Sequence, residues 1–463
     1  MSPDPVRDPV RFVDERTASA PLLRKVLRYL FPDHWSFLLG EVVLYSFILL
    51  IATGIYLALF FDPSTAKTVY HGPYRPLDGQ TMSAAYKSVL DISFTYKAGL
   101  LIRQTHHWAA DVFFASIVLH LMRVFFTGAF RKPRELTWII GLLMLFIALP
   151  EGFVGYSLAD DLLSGIGLAI AYGVALSIPI IGGPLALAIW GAPFPGKDVF
   201  WSRMYIAHVF VLPIVIGTLI VVHLALVAAR HHTQFRESRR TTQRRLVGVP
   251  LFPGQTPRSL ALMLGVFGLL FLLGGLVQIN PIWQWGPFEP YLGTNGAQPD
   301  WYLGWLIGAL RLMPSFDVTI GHFTLIPNPF WGGALFPLLL LSFLAAFPWI
   351  ERRLAKDHSD HNLADRPRDA PTRTAFGVAF LTWVFLIFVF GSADRLFVLF
   401  GLSYNLLLYV FRIGLWVVPV VLFFVVRRLC RELQQADHIE EIQEAAEAEV
   451  EREYAAAPTR SGA

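Results

Sequence analysis

Four histidines of this 463-residue chain fall inside long apolar stretches: His106 and His120 in one, His208 and His223 in another. An imidazole at membrane depth is costly enough to need a reason. The intervals of 14 and 15 residues are close to four helical turns. The members of each pair therefore share nearly one helix face and stand about 21 Å apart along the axis. Any one such histidine is most often an interhelical hydrogen-bonding side chain. Four at two matched spacings point to metal chemistry: two facing helices that hold two stacked haems, with His106 paired to His208 and His120 to His223. Two axial histidines per iron leave no position for oxygen or substrate, which makes these electron-transfer haems. His107 competes with His106, but it lies 13 residues from His120 and matches the partner helix less well.

Two glycine pairs repeat the interval. Gly40 and Gly54 are 14 residues apart, as are Gly141 and Gly155. Small residues let a flat macrocycle approach the backbone, although close helix packing accounts for either pair taken alone. Both pairs sit on stretches flanking the histidine stretches, which favours a four-helix bundle around two porphyrins. Arg103 and Arg123 lie three residues from His106 and His120, and a guanidinium suits a haem propionate. Arg103 is equally placed to anchor the helix at the interface, and Arg123 to extend toward a nearby basic loop.

The elements that must position these residues are membrane helices. Hydrophobic residues make up 55% of the chain and charged residues 16%, with 38 Phe and 13 Trp; soluble domains carry roughly 25% charged residues. Apolar runs of spanning length fall at 36–61, 107–127, 137–157, 204–229, 259–278, 330–350, 374–391 and 405–426, giving an all-α polytopic membrane protein of eight spans. The single cysteine, Cys430, excludes disulfides, Cys-ligated zinc, iron–sulfur clusters and a c-type haem attachment. The polar residues 1–33 lack the apolar core of a signal peptide, so the chain is expected to start in the cytoplasm.

Segment 158–200 is apolar enough to cross but is broken by Pro179, Gly182, Gly183 and Pro184. If it stays outside, the inner segments hold 27 Lys and Arg against 9 in the outer ones. If it crosses, the densest basic stretch, Arg230 to Arg258, faces outward against the positive-inside bias. The expectation is therefore a pair of surface helices at 158–190 and both termini cytoplasmic. The chain divides into a cytoplasmic segment 1–33, a four-helix dihaem bundle 34–230, a basic cytoplasmic loop 231–258, a four-helix C-terminal membrane part 259–427 with an outer loop 279–329, and an acidic tail 428–463.

Arg103-Gln-Thr-His106, His120-Leu-Met-Arg123, the paired glycines, Gly155-Tyr156 and Pro299-Asp-Trp-Tyr302 together resemble cytochrome b of the quinol:cytochrome c oxidoreductase (cytochrome bc-type) complexes. The likeness covers residues 30–425. The 15-residue interval is similar to bacterial and photosynthetic members, and Gly155 to Gly165 with the Pro-Asp-Trp-Tyr tetrad is similar to the actinobacterial menaquinol branch. The resemblance implies two b haems, a quinol oxidation site near the outer face, a quinone reduction site near the inner one and net proton translocation. It implies a Rieske iron–sulfur protein and a cytochrome c subunit as partners, a dimeric complex, association with an oxidase in a supercomplex, and a place in the plasma membrane among lipid. No nucleic-acid signal exceeds the membrane explanation of the basic loops.

The family's tetrad usually carries Glu, which accepts a quinol proton. Asp300 matches that position with a shorter side chain, and the alternative role is a helix N-cap. Tyr302 and Tyr156 match family positions at the same outer pocket; in isolation they read as interfacial aromatics. For the inner quinone site, Arg230-His231-His232 and His34 are candidates, with a solvated basic face beside anionic headgroups as the alternative. His358, His361 and His438 lie in charged segments and are assigned no role. Two other functions compete: a dihaem membrane anchor of another quinone-linked oxidoreductase, and a transporter without cofactor.

Overall fold

The computed structural model describes residues 8–196, 198–236, 241–293 and 298–456. Parts of the expected N-terminal segment, segment 158–200, basic loop, outer loop and acidic tail fall outside these residues. Eight helices are long and apolar enough to cross a bilayer: Trp35–Ala58, Gly99–Phe126, Glu135–Ser157, Asp198–Arg230, Leu251–Leu276, Trp331–Ala355, Pro371–Phe390 and Tyr404–Arg452. Their number agrees with the sequence. The second begins eight residues before the expected 107, so Arg103 and His106 lie well inside it. The eighth runs on unbroken to Ala456, carrying the acidic tail as a continuation of the same helix.

The first span packs on the second and the third on the fourth. These two helix pairs face each other, with span two opposite span four. The fifth span lies against the first and second, the sixth against the third, and the seventh against the eighth. In lipid such contacts gain from van der Waals fit, not from water exclusion. Midway along the first bundle, Phe113, Ala148 and Ile216 are buried together with Phe47 packed on them. Each lies about halfway between the two histidines or glycines of its own helix, so an apolar layer separates the two histidine levels.

Segment 158–196 contains no helix of spanning length. It forms helices Leu162–Ser177 and Gly182–Trp190, which pack on each other. Gly182 allows the sharp reversal, because a Cβ there would stand 2.5 Å from the Leu176 carbonyl oxygen. At this end Tyr86 donates to the Ile282 carbonyl, Lys67 pairs with Glu289, and Asp161 bridges to Pro287. At the opposite, basic end, Leu30–Phe31 pairs antiparallel with Val249–Pro250 and Arg131 pairs with Asp365. Arg134 donates to the carbonyls of Arg230, His231 and His361 there. Strands among the described residues are three short antiparallel pairs in the loops.

The fourth span is not a uniform α-helix. Residues Ala207–Val211, which include His208, form a π-turn just before Pro213. A π-turn takes up one extra residue within an otherwise α-helical path. The 15-residue interval on this helix thus becomes equivalent in phase to the 14 residues between His106 and His120.

Candidate functional site

The His106 and His208 rings stand 6.3 Å apart, centroid to centroid, at 84° to each other. Two imidazoles sharing one metal at bonds of about 2 Å place their ring centres about 6 Å apart. The second nitrogen of each ring is already held. Thr53 Oγ1 lies 2.8 Å from His106 Nδ1, and because the Thr53 hydroxyl donates to the Leu49 carbonyl, it accepts from the imidazole. His208 Nδ1 lies 3.3 Å from the Glu151 carbonyl oxygen and 3.0 Å from its carboxylate Oε1. Protons fixed on both Nδ1 atoms leave both Nε2 atoms as metal donors. His107, one residue on, turns to another partner, which separates the two candidates the sequence left in competition.

His120 and His223 line a cavity of about 880 Å³ at the basic end, together with Gly40, Gly141 and Arg123. Neither Nδ1 has a hydrogen-bond partner among the described residues. No cluster of three or more metal-binding side chains occurs among these residues. A donor set of two opposed imidazoles fits a metal whose remaining ligands come from a planar macrocycle.

Each glycine of the two pairs faces one of the four histidines. An added Cβ would meet Cε1 of His120 at 3.3 Å from Gly40, of His106 at 3.3 Å from Gly54, of His223 at 3.8 Å from Gly141 and of His208 at 2.4 Å from Gly155. The nearest protein neighbour of each missing side chain is thus one of the four imidazoles. Arg103 donates to Ser93 Oγ and the Asn280 carbonyl, while its Nη2 is buried without a partner. Arg123 lies 4.1 Å over the Phe37 ring, with Nε and Nη2 buried and unpartnered. Leaving such groups unmatched is expensive, so both guanidiniums suit an anionic group the protein does not itself supply.

Beside the His106–His208 pair lies a carboxylate pocket. Asp300 Oδ1 accepts from His107 Nε2 at 2.9 Å and Oδ2 accepts from the Tyr302 hydroxyl at 3.0 Å. Asp300 occupies the N-cap position of the short helix Trp301–Leu303, yet its side chain makes no capping hydrogen bond. Tyr302 is stacked on Phe114 at 4.0 Å and sits where a Cβ on Gly152 would fall. Burial first, and then the Asp300 carboxylate, push its hydroxyl well above the usual tyrosine range, so it remains a donor. Tyr156 is buried with its hydroxyl unpartnered. Nearby, Asp161 caps helix Leu162–Ser177 through the Leu163 amide, and burial raises its carboxyl to about 6 and that of Asp160 to about 7.

At the basic end, His34 caps the opening turn of the first span by accepting from the Ser36 amide, and it packs on Phe235. His231 stacks on Tyr29, while His232 lies against Phe31 and Phe37, where burial lowers it to about 4. All three histidines and Arg230 line the same cavity as His120 and His223. Sequence reasoning missed His107 as the partner of Asp300, and also Glu151, Thr53 and Asp111, whose Oδ1 is buried without a hydrogen-bond partner among the described residues. A signal for two of them was present. The rule that singled out intramembrane imidazoles applies equally to carboxylates, and Asp111 and Glu151 both lie within spans.

Residues 111–287 match the family described as Cytochrome b(N-terminal)/b6/petB. A cytochrome bc1 complex cytochrome b subunit of Streptomyces coelicolor is 47% identical over 92% of this chain and 78% of its own length. Proteins of the same description from Corynebacterium diphtheriae and Mycobacterium tuberculosis are 47% and 45% identical over the same share of this chain, covering 78% and 77% of their own lengths. A chain of a hyperthermophilic respiratory Complex III shares the fold, with a TM-score of 0.66 at 22% identity over 89% of this chain and 99% of its own. With relatives this similar along nearly the whole length, the chain belongs to the cytochrome b subunits of cytochrome bc1 complexes, the membrane components of quinol:cytochrome c oxidoreductases.

Proposed function

We propose that the chain holds two b haems in its first four spans, one between His106 and His208 and one between His120 and His223. The observation that carries this reading is the 6.3 Å separation of the His106 and His208 rings, with both Nδ1 atoms engaged elsewhere. Gly40, Gly54, Gly141 and Gly155 keep side chains away from the ligand rings, and the unpartnered guanidinium nitrogens of Arg103 and Arg123 would hold the propionates. Bound there, each haem supplies a one-electron carrier.

Quinol is oxidised in the pocket of Asp300, Tyr302 and Tyr156. Asp300 accepts a quinol proton. His107 and Tyr302 hold the two carboxylate oxygens in place, so that the shorter side chain presents a fixed acceptor. One electron leaves to a Rieske iron–sulfur protein and a cytochrome c subunit, and the other moves across the bilayer toward the basic end. The cavity lined by His34, His231, His232 and Arg230 serves quinone reduction there. Menaquinone is the proposed quinone. The concentration of Lys and Arg at the basic end supports a plasma-membrane orientation with that end and both termini cytoplasmic, and the domain division above follows from it. The same reading has the complex dimeric and joined to an oxidase. Relatives named as cytochrome b along 92% of the chain displace both the anchor-subunit and the transporter alternatives.

Pyridine haemochrome titration of the purified chain is expected to give two b haems. His208→Ala should lose one and His223→Ala the other, with one haem or none in the wild type refuting the pairing. Labelling with a membrane-impermeant thiol reagent in a Cys430→Ser background should reach cysteines placed at 170–195 from outside and at 241–246 only from inside. The reverse pattern overturns the orientation.

A further inference from the structure

The two histidine pairs differ in one chemical respect that the haem-binding reading, on which the following rests, does not use. Glu151 is a carboxylate within the third span, following Pro150. Its Oε1 stands 3.0 Å from His208 Nδ1, and its Oε2 is buried without a partner among the described residues. No guanidinium or ammonium pairs with it there, so the imidazole is its counterpart. On the facing helix, Thr53 Oγ1 accepts from His106 Nδ1. His208 Nδ1 also lies 3.3 Å from the Glu151 carbonyl, and at the other level a backbone carbonyl, that of Thr137, faces His223; what that level lacks among the described residues is a carboxylate paired with either imidazole.

We propose that Glu151 tunes the metal that would be held between His106 and His208, making it harder to reduce than it would be with a neutral side chain at that position. An acceptor on the distal nitrogen of a ligating imidazole raises the basicity of the ligating nitrogen. A carboxylate does this more strongly than a hydroxyl, and its field in a poorly screened site favours the more positive, oxidised state of the metal. Thr53 acts in the same direction on His106 and more weakly. The asymmetry is written into the ligands' second nitrogens and not into the ligands, which are the same four imidazoles.

The test is an optical redox titration of the assembled holoprotein. The wild type should show two one-electron b components, and His208→Ala identifies which belongs to the Glu151 side. In Glu151→Gln that component should become about tenfold more reduced at a fixed ambient potential, an upward shift of about 59 mV for one electron, while the other stays unmoved. Thr53→Val should move the same component in the same direction by less. Two components at wild-type potentials in Glu151→Gln, or an equal shift of both, overturn the proposal while leaving the haem-binding reading intact. A wild type with fewer than two components overturns that reading itself. If Glu151→Gln fails to retain the component, Glu151→Asp, which draws the carboxylate back by one methylene, carries the test: a smaller upward shift supports the assignment and an unmoved midpoint overturns it.

Discussion

The His106–His208 level is held through the second nitrogens of its rings, whereas the His120–His223 level lines a cavity. At the first, each imidazole is anchored through Nδ1, and a hydrogen-bonded carboxylate pocket adjoins the pair. At the second, the same residue types line a cavity of about 880 Å³ with their Nδ1 atoms unpartnered. Four helices, one interval and one set of ligands thus give two environments. The lesson is that helical periodicity sets where the ligands stand, while the residues touching their far sides decide how they behave.

Glycine substitutions test that comparison most severely. Gly155→Ala puts a methyl group 2.4 Å from His208 Cε1, a clash that the anchored ring cannot evade without breaking its contacts to Glu151. Gly141→Ala adds a methyl group at 3.8 Å, ordinary contact distance. The first variant should lose the haem of its level and all turnover, and the second should keep both haems and wild-type spectra. Haem content by pyridine haemochrome decides, and equal tolerance of the two would erase the distinction between the two levels.

The next effect belongs to the carboxylate pocket. A neutral amide of the same shape cannot take a proton, so Asp300→Asn should retain both haems and lose about 10²-fold in quinol:cytochrome c turnover, while Asp300→Glu keeps much of it. Replacement of His107 by Phe removes one of the two groups holding the carboxylate. It should lower turnover less, with haem spectra unchanged. Wild-type turnover in Asp300→Asn would move proton acceptance to another group.

The smallest effect is a pair of opposite pH responses at the two ends. Asp160 titrates near 7 in the folded chain against 3.8 for an unhindered aspartate, so its protonated form is favoured by folding. Its contribution is complete below pH 4 and is lost as the pH rises toward 7. His232 is lowered from 6.5 to about 4 by burial, so its neutral form is favoured. Its contribution is complete above pH 6.5 and is lost as the pH falls toward 4. Hydrogen exchange should show segment 158–165 loosening with rising pH and segment 230–235 loosening with falling pH. Asp160→Asn and His232→Phe should each flatten their own response.

Much of this architecture was legible before any coordinates. The eight spans follow from apolar length alone, and the break of 158–190 into two short helices was signalled by Pro179 and Gly182 to Pro184. The four histidines stood out because intramembrane imidazoles are rare. Less visible was anything that depends on which side of a residue faces which neighbour. The sequence shows that Asp300 begins a helix, but only packing reveals that its carboxylate is taken by His107 and Tyr302 rather than by a backbone amide. The glycines were readable as clearances, but which imidazole each one faces was not, since periodicity along one helix carries no information about rotation of the next. The continuity of the eighth span into its tail was hidden by the change from apolar to acidic residues, which alters the solvent of a helix without ending it.

The turn at Ala207–Val211 has a bearing on tolerance to insertion and deletion. One residue gained in a straight helix rotates everything beyond it by about 100°, which would swing His208 and the upstream half of its span away from His106 while His223 stayed in place. Here that angular error is absorbed in a single widened loop of backbone, and the two halves of the helix keep a common bearing. The fourth span behaves as a rod with a built-in phase correction. Loss of one residue between Phe210 and Pro213 would be the length change this helix is best prepared to accept, because it would restore the regular winding without turning either histidine from its partner.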